Sequence, residues 1–595
     1  MKLDNKLKKD LFTSSQRFFL GCWFNMVHPS SLDSHRVKAI NPFNALAELH
    51  KVLNFIIANN DDIGMIYTEA KSVLNSDPLL KVDKRFQEIV APLFSKLDKE
   101  KSANKFTKKC TLTNSLLREA TNYVGATYLD SCFKVFNDKV VESETLSENE
   151  QSQISIITGS FLSYLMHSGA SFETLMNYYQ NILTNHKKNK EIPFASRLKL
   201  LKKIVSSTGN EYDIIFRLEF HSKELITSFP DEIDGITFVS QLEGMTSAYS
   251  PLNKILNSTY PTLKFARIKV NARDERHAGA LAYSKVYSVI DLVRFEYITK
   301  PIVILDDFIC ITDNANHPIR LFTVPKLVPN PTASVTEVEF GSFISMIGSL
   351  VGNQSIKKDD KDQIFSSFKF YRIGGDTSID ENRLVNWWIA VEHLSQSNKS
   401  GSNIGSKVIN TLLPILGINY FYKHFSHIKN QLNSFKLAMS DGSEREIGSL
   451  TLNELKESLC DDQYFEQIAA HLEKDEYVLF LLKKFKQTIS DNKSIAKSII
   501  KHKDTLKQQI YRIYRARCDI VHSTEAIVSL SLLSANLEFY LKQTLSHILK
   551  ELVNQPTIES MEEIFLRSNL TLGRIIEHLN KDEPELFLKY LEQTR

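Results

Sequence analysis

The stretch KHKDTLKQQIYRIYRARCDIVHSTEAIVSLSLLSANLEFYLKQTLSHILKEL, residues 501–552, decides how this chain is read. Residues 501–517 set Leu506, Ile510, Ile513 and Tyr514 at helical spacing on one face. Lys503, Lys507, Arg512, Arg515 and Arg517 supply positive charge around the rest. Ser523 or Thr524 is a good N-cap, with Glu525 in the first turn, so the pattern predicts a second long amphipathic helix from there. On this reading Arg517 ends one helix, and His522 sits at a break just ahead of the next helix N-terminus.

That placement has chemical consequences. A helix N-terminus presents free N–H groups and attracts phosphate. An arginine grips phosphate oxygens bidentately. A histidine, with an unperturbed pKa of ~6.5, takes or gives a proton near neutral pH. RNA carries its own nucleophile, the 2′-OH, so cleaving it needs a base, an acid and charge stabilisation, with no metal strictly required. Lys503, Lys507, Arg512 and Arg515 form a candidate RNA-backbone track. A plainer reading stays open: Arg517 pairs with a carboxylate, His522 caps the next helix, and the cations form a solvated face.

Upstream lies FSSFKFYRIGGDTSIDENRLVNWWIAVEHLSQ, residues 365–396. A helix with Tyr371 and Arg372 is followed by a loop, then by a helix carrying Trp387, Trp388, Ala390, Glu392 and Leu394. This resembles the R-L-x-x-x-W-x-A-x-E-x-L opening of HEPN domains, the higher eukaryotes and prokaryotes nucleotide-binding helical bundles. It is most similar to the ApeA-like branch of bacterial anti-phage abortive infection proteins. The second signature of that family, Arg-x4–6-His, is matched by Arg517 and His522, and the order of the two signatures fits. The resemblance covers roughly residues 338–552.

The resemblance implies a helical bundle and a metal-independent endoribonuclease toxin without cofactor; a cytoplasmic location is expected from the lack of a signal peptide or membrane run in the sequence. It implies RNA as substrate, with tRNA or another structured RNA expected, and a phage-derived trigger. It also implies a homodimer in which two Arg/His pairs face one cleft. His522 would transfer the proton and Arg517 would stabilise the phosphorane-like transition state. Glu392 would orient either one, or serve structure alone, and both tryptophans are expected in the core. The family often has a polar helper directly after the arginine; here that position is Cys518, and Asp519 is the candidate substitute. Some members keep the bundle and only bind, so a non-catalytic RNA-binding or dimerisation module is the alternative.

Working outward, the fold expected is mainly α with a central α+β domain and a C-terminal HEPN-like bundle. Residues 1–190 read as a helical region, within which the lysine-rich KLDKEKSANKFTKKC (96–110) reads as a solvated connector. Short β-branched and aromatic runs, with one amphipathic helix at 274–293, mark an α+β domain at 191–325. A proline-rich linker follows at 326–337, marked by Pro325, Pro329 and Pro331 in VPKLVPNPTASV. The bundle spans 338–552, with an acidic insertion at about 439–476, and 553–595 forms a helical tail.

Composition narrows the function classes. The net charge of +3 is too small to name a partner, so any nucleic-acid site is a local surface. Scarce Gly (20) and Pro (16) favour long helices. The six cysteines form no CxxC pair, which argues against a zinc ribbon or disulfide framework and fits a reducing cytosol. Asp4 and Asp10 interrupt the lysine-rich start, which does not read as a signal peptide, and no run approaches a membrane span. GxxxxGK[ST] and HExxH are absent. Asp306 and Asp307, after an apolar strand, suggest either a strand-end turn or a metal-dependent nuclease site.

Overall fold

A computed structural model describes all of the chain except residues 1, 5, 6, 8–10, 30, 55–58, 185–191, 208, 222, 243, 244, 246–249, 257–261, 297–301, 313–318, 325–329, 331–336, 378, 402, 523–529, 594 and 595. It forms two compact units, Met1–Tyr164 with Leu327–Arg595, and Leu165–Lys326.

The first unit opens with helices α1 (Ser14–Val27), α2 (Pro42–Asn54), α3 (Asn60–Ser76), α4 (Pro78–Val82), α5 (Lys84–Ser102), α6 (Thr111–Phe136) and α7 (Glu148–His167). The boundary expected at residue 190 falls instead within α7, and residues 1–164 do not stand alone. The reason is α1. Thr13 and Gln16 close a capping box at its start. It is apolar on most sides, as a central helix must be. Phe19 and Trp23 meet Phe136 and Phe161, with ring centroids 4.8 and 5.8 Å apart. On the other side Phe18 meets Tyr477 and Phe480 at 5.5 and 5.3 Å. Gly21 permits this approach, because a Cβ there would lie 2.8 Å from the Tyr477 Cβ.

The second unit, Leu165–Lys326, begins with the last residues of α7, then α8 (Phe172–Tyr178) and α9 (Phe194–Val205). It continues through β1 (Asn210–Phe220), α10 (Lys223–Ser228), β2 (Glu232–Ile233), β3 (Ile236–Val239), α11 (Ser250–Leu256), β4 (Leu263–Ala272), α12 (Glu275–Glu296), β5 (Ile302–Ile311) and β6 (Ile319–Thr323). The six strands make one antiparallel sheet in the order β2-β3-β4-β1-β5-β6. Asp274 Oδ1 caps α12 by accepting from the Arg276 and His277 amides at 2.9 Å. Phe216 of the sheet meets Tyr283 of α12 at 5.6 Å. Ile215, Phe265 and Ile309 pack with Leu252 and Leu256 of α11. The expected α+β region is therefore present, and this sheet is its scaffold.

The chain returns to the first unit with α13 (Glu337–Gly352), α14 (Lys358–Asp376), α15 (Asp380–Ser395), α16 (Ile404–Gln431) and a hairpin of β7 (Lys436–Ala438) and β8 (Glu444–Glu446). Then follow α17 (Leu452–Cys460), α18 (Asp462–His471), α19 (Glu476–Ile489), α20 (Asn492–His522), α21 (Leu530–Asn554), α22 (Met561–Asn580) and α23 (Glu585–Gln593). The prolines of the expected linker lie outside the described residues, but Asn330 between them is buried. It accepts from Arg36 Nη1 (3.2 Å) and donates to Glu538 Oε2 (2.6 Å), whose other oxygen takes the Tyr371 hydroxyl (2.9 Å). The acidic segment 439–476 is no separate subdomain. Leu455, Leu459, Phe465 and Ile468 share one core with Phe421, Phe425, Leu572 and Phe587. The tail 553–595 joins the same core, with Leu572 filling the space over Gly417 on α16.

Candidate active site

Helix α20 runs unbroken through the stretch expected to break. It spans 31 residues and ends at His522. No Gly or Pro occurs in it, and Ile520 and Val521 are only mildly poorer helix formers than Ala. Arg517 and His522 thus share one helix, separated by about 7.5 Å of rise and about 140° of turn. His522 is the last described residue of this helix and is exposed. The expected caps Ser523, Thr524 and Glu525 lie outside the described residues.

Helical geometry sorts the named side chains into two stripes flanking His522. Tyr514 and Arg517 lie on one side and Arg512, Arg515 and Asp519 on the other. The first stripe faces α15. Tyr514 packs on Trp388 with centroids 5.4 Å apart. Trp388 is fully buried, and its Nε1 donates to Glu392 Oε1 at 2.5 Å, one turn along the same helix. That carboxylate lies 3.9 Å from Arg517 Nη2. Arg517 Nε is shielded from solvent and has no hydrogen-bond partner among the described residues. Burial, then the adjacent Cys518 thiol, push the Tyr514 phenol up. The structure therefore brings Glu392 to Arg517 and places Trp387 and Trp388 in the core.

The second stripe is taken by the N-terminal helices. Arg512 is 6% exposed and donates to Glu48 Oε1 (2.9 Å) and Glu69 Oε2 (2.7 Å). Arg515 Nη2 reaches Glu48 Oε2 at 3.3 Å. Burial would raise the Glu48 carboxyl, but Arg512 and then Arg515 override it and hold it below its ordinary range. Asp519 Oδ2 accepts from Lys51 Nζ at 3.1 Å. Arg512 is thus an internal ion-pair partner and not part of an RNA track, a correction to the sequence reading, while Arg515 stays partly exposed beside Glu48. The physical reason for the correction is that a buried guanidinium needs a carboxylate partner. Asp519 is held toward α2, about 200° around the helix from Arg517, and so cannot serve as the residue beside it. Lys507 is exposed and Lys503 half-buried, so these two remain open to a polyanion.

The Asp306–Asp307 pair lies inside β5, next to a register shift, and not at its end. Asp307 is held by Arg217 at 2.5 Å. No three His, Cys, Asp or Glu residues converge as a metal site among the described residues. No helix among them is long and apolar enough to cross a membrane.

Sequence reasoning missed Glu48, Lys51 and Glu69. They lie more than 400 residues from their partners on α20, and a single chain carries no signal for such pairs. The Trp388–Glu392 bond was findable, because the two residues are spaced i,i+4. No family model, curated protein or solved structure matches the chain.

Proposed function

We propose that the chain is a metal-independent endoribonuclease of the HEPN type, an anti-phage effector that cleaves RNA when triggered and works as a homodimer in the cytoplasm. The observation that supports this most is the convergence of Glu392 on Arg517, with His522 exposed at the end of the same helix. The two sequence signatures, 125 residues apart from Glu392 to Arg517, meet at one place.

In this reading Arg517, whose side chain is partly exposed, holds the scissile phosphate through the terminal Nη groups of its guanidinium. Glu392, fixed by Trp388, aims the guanidinium. His522 removes the 2′-OH proton or supplies one to the leaving 5′-oxygen. One histidine cannot stand on both sides of the phosphate, and the matching His522 of a second protomer fills the other role. Lys507 and Lys503 contact the backbone beyond the cleavage point. The product ends would be 2′,3′-cyclic phosphate and 5′-hydroxyl.

The pairing of Arg512 and Arg515 with carboxylates favours a second reading, a bundle used only for binding or dimerisation. Incubating wild type and His522→Ala with total RNA and defined tRNA in EDTA, followed by end-group analysis, separates the two. Cleavage by wild type alone supports the nuclease. RNA bound equally by both without cleavage supports the binding module. Equal cleavage by both excludes His522 as the proton-transfer residue.

A further inference from the structure

The lysine-rich segment 96–110 is not a free connector. Its first turns belong to α5, and Cys110 is the residue from which α6 starts. Phe106 between them is buried, its amide donates to Asn60 Oδ1 (3.2 Å), and the Lys109 amide donates to Leu53 O (3.0 Å). Asn104 and Lys109 both hold left-handed backbone, at φ 48° and 53°. This path brings two chemically complementary side chains together across 14 residues. Lys96 Nζ lies 2.7 Å from Cys110 Sγ. The same ammonium donates to Thr113 Oγ1 at 2.7 Å and stands 3.7 Å from Glu100 Oε1.

We propose that Lys96 and Cys110 form a peroxide-responsive covalent switch, in which a reversible sulfur–nitrogen bond ties the end of α5 to the start of α6. Three features of the pair support it. The lysine ammonium and Thr113, through its hydroxyl and its backbone amide at the start of α6, stabilise the thiolate and lower the Cys110 thiol to about 6. Cys110 is half-exposed, so a small oxidant reaches it, whereas Cys22, Cys132 and Cys310 are buried. The lysine nitrogen already stands against the sulfur it would join.

The chemistry balances with one hydrogen peroxide. The thiolate attacks one peroxide oxygen, the O–O bond breaks, and sulfur is oxidised by two electrons to sulfenic acid. The departing hydroxide takes a proton from the Lys96 ammonium and leaves as water. The resulting amine attacks the sulfenic sulfur, the S–O bond breaks, and a second water leaves as the S–N bond forms. A thiol reductant reverses the link. It attacks sulfur to release the amine, and a second thiol frees Cys110 from the mixed disulfide. Because α3 flanks this loop and its Glu69 holds Arg512, the bond would stiffen the support of α20.

The test uses the full chain treated with hydrogen peroxide, then blocked with an alkylating agent, digested and mapped by mass. The expected product is a peptide joining Lys96 to Cys110, lighter by two hydrogens and opened by a thiol reductant. In Lys96→Met the link is absent and Cys110 proceeds to sulfinic acid. At pH 7, Cys110 of the untreated protein should be alkylated about threefold faster than in Lys96→Met. Two outcomes overturn the proposal. One is Cys110 recovered as free thiol at a peroxide dose that oxidises Cys460 or Cys518. The other is oxidised Cys110 with Lys96 still unmodified and open to trypsin.

Discussion

Lys51 of α2 and Asp519 of α20 meet at 3.1 Å, one turn before His522. The helix bearing both signature residues is therefore braced on one side by the first sixth of the chain and on the other by α15. That double bracing makes roles on α20 separable, because each stripe answers to a different partner.

His522 is exposed, so His522→Ala should leave the thermal midpoint unchanged. RNA cleavage should fall about 10²–10⁴-fold, the range for losing a general acid–base group. Single-turnover cleavage alongside calorimetry reads both quantities. A variant of unaltered stability that still cleaves at the wild-type rate rules His522 out.

Arg512 tests the corrected assignment. Arg512→Ala leaves Glu48 and Glu69 without their principal partner inside the unit and should cost about 3–5 kcal/mol in denaturant unfolding. Lys507→Ala should stay within about 0.5 kcal/mol. RNA affinity should respond the other way, with Lys507→Ala lowering the salt slope by about one unit. If Arg512→Ala weakens RNA binding while stability holds, the buried pairing is not its role.

Glu392→Gln keeps an acceptor for the Trp388 indole and removes the charge facing Arg517. It should lower kcat about tenfold with little change in KM, since one directing interaction of roughly 1.4 kcal/mol is lost from the transition state. Glu392→Asp shortens the reach and should not restore the rate. An effect on KM alone would place Glu392 in substrate binding.

Acid should loosen the first unit before ordinary carboxylates titrate. Burial pushes His502 down to about 3, and burial likewise lowers His35 and His424 well below 6.5. Below ~6.5 the unfolded chain binds protons that these folded histidines refuse, so stability rises with pH and falls on acidification. Asp33 adds a later step. Burial would raise it, but Lys423 holds it at about 2, so its contribution is complete above ~4 and drains as pH falls toward 2. Thermal midpoints should decline from just under pH 6.5, and His502→Gln should flatten the slope between pH 5 and 7. An unchanged slope in that variant assigns the effect to other groups.

Gly374 on α14 offers a packing test. A Cβ there would lie 2.5 Å from Trp387 Cδ1. Ala gains up to about 1 kcal/mol in helix propensity, but overpacking against an indole fixed by its bond to Tyr371 O (2.9 Å) costs about 1–3 kcal/mol. Gly374→Ala should therefore destabilise, as denaturant midpoints would show.

The helices and the sheet region were legible because each rests on local spacing, whereas the two motifs left open whether Glu392 serves Arg517, His522 or the core. The break before His522 was misread because good N-cap residues follow it, yet nothing in residues 517–522 stops a helix. The basic stripe was misread because Arg512 looks like surface charge until Glu48 and Glu69 arrive from far away. The ends of the chain fold together for a similar reason. Phe18 has no visible claim on Tyr477 until both are in place.

That last feature bears on how the protein is made. Arg17 and Glu476 pair across 459 residues, and Glu48 reaches Arg512 across 464. On a ribosome the first 164 residues emerge long before these partners exist. The middle unit, Leu165–Lys326, forms its own compact cluster of contacts and can fold before the C-terminal part of the first unit has been translated. The helix bearing His522 is translated more than 400 residues after Glu48 and Glu69, and these braces engage only then. Any activity that needs α20 held in place would therefore be withheld from nascent chains and fragments that stop short of residue 522.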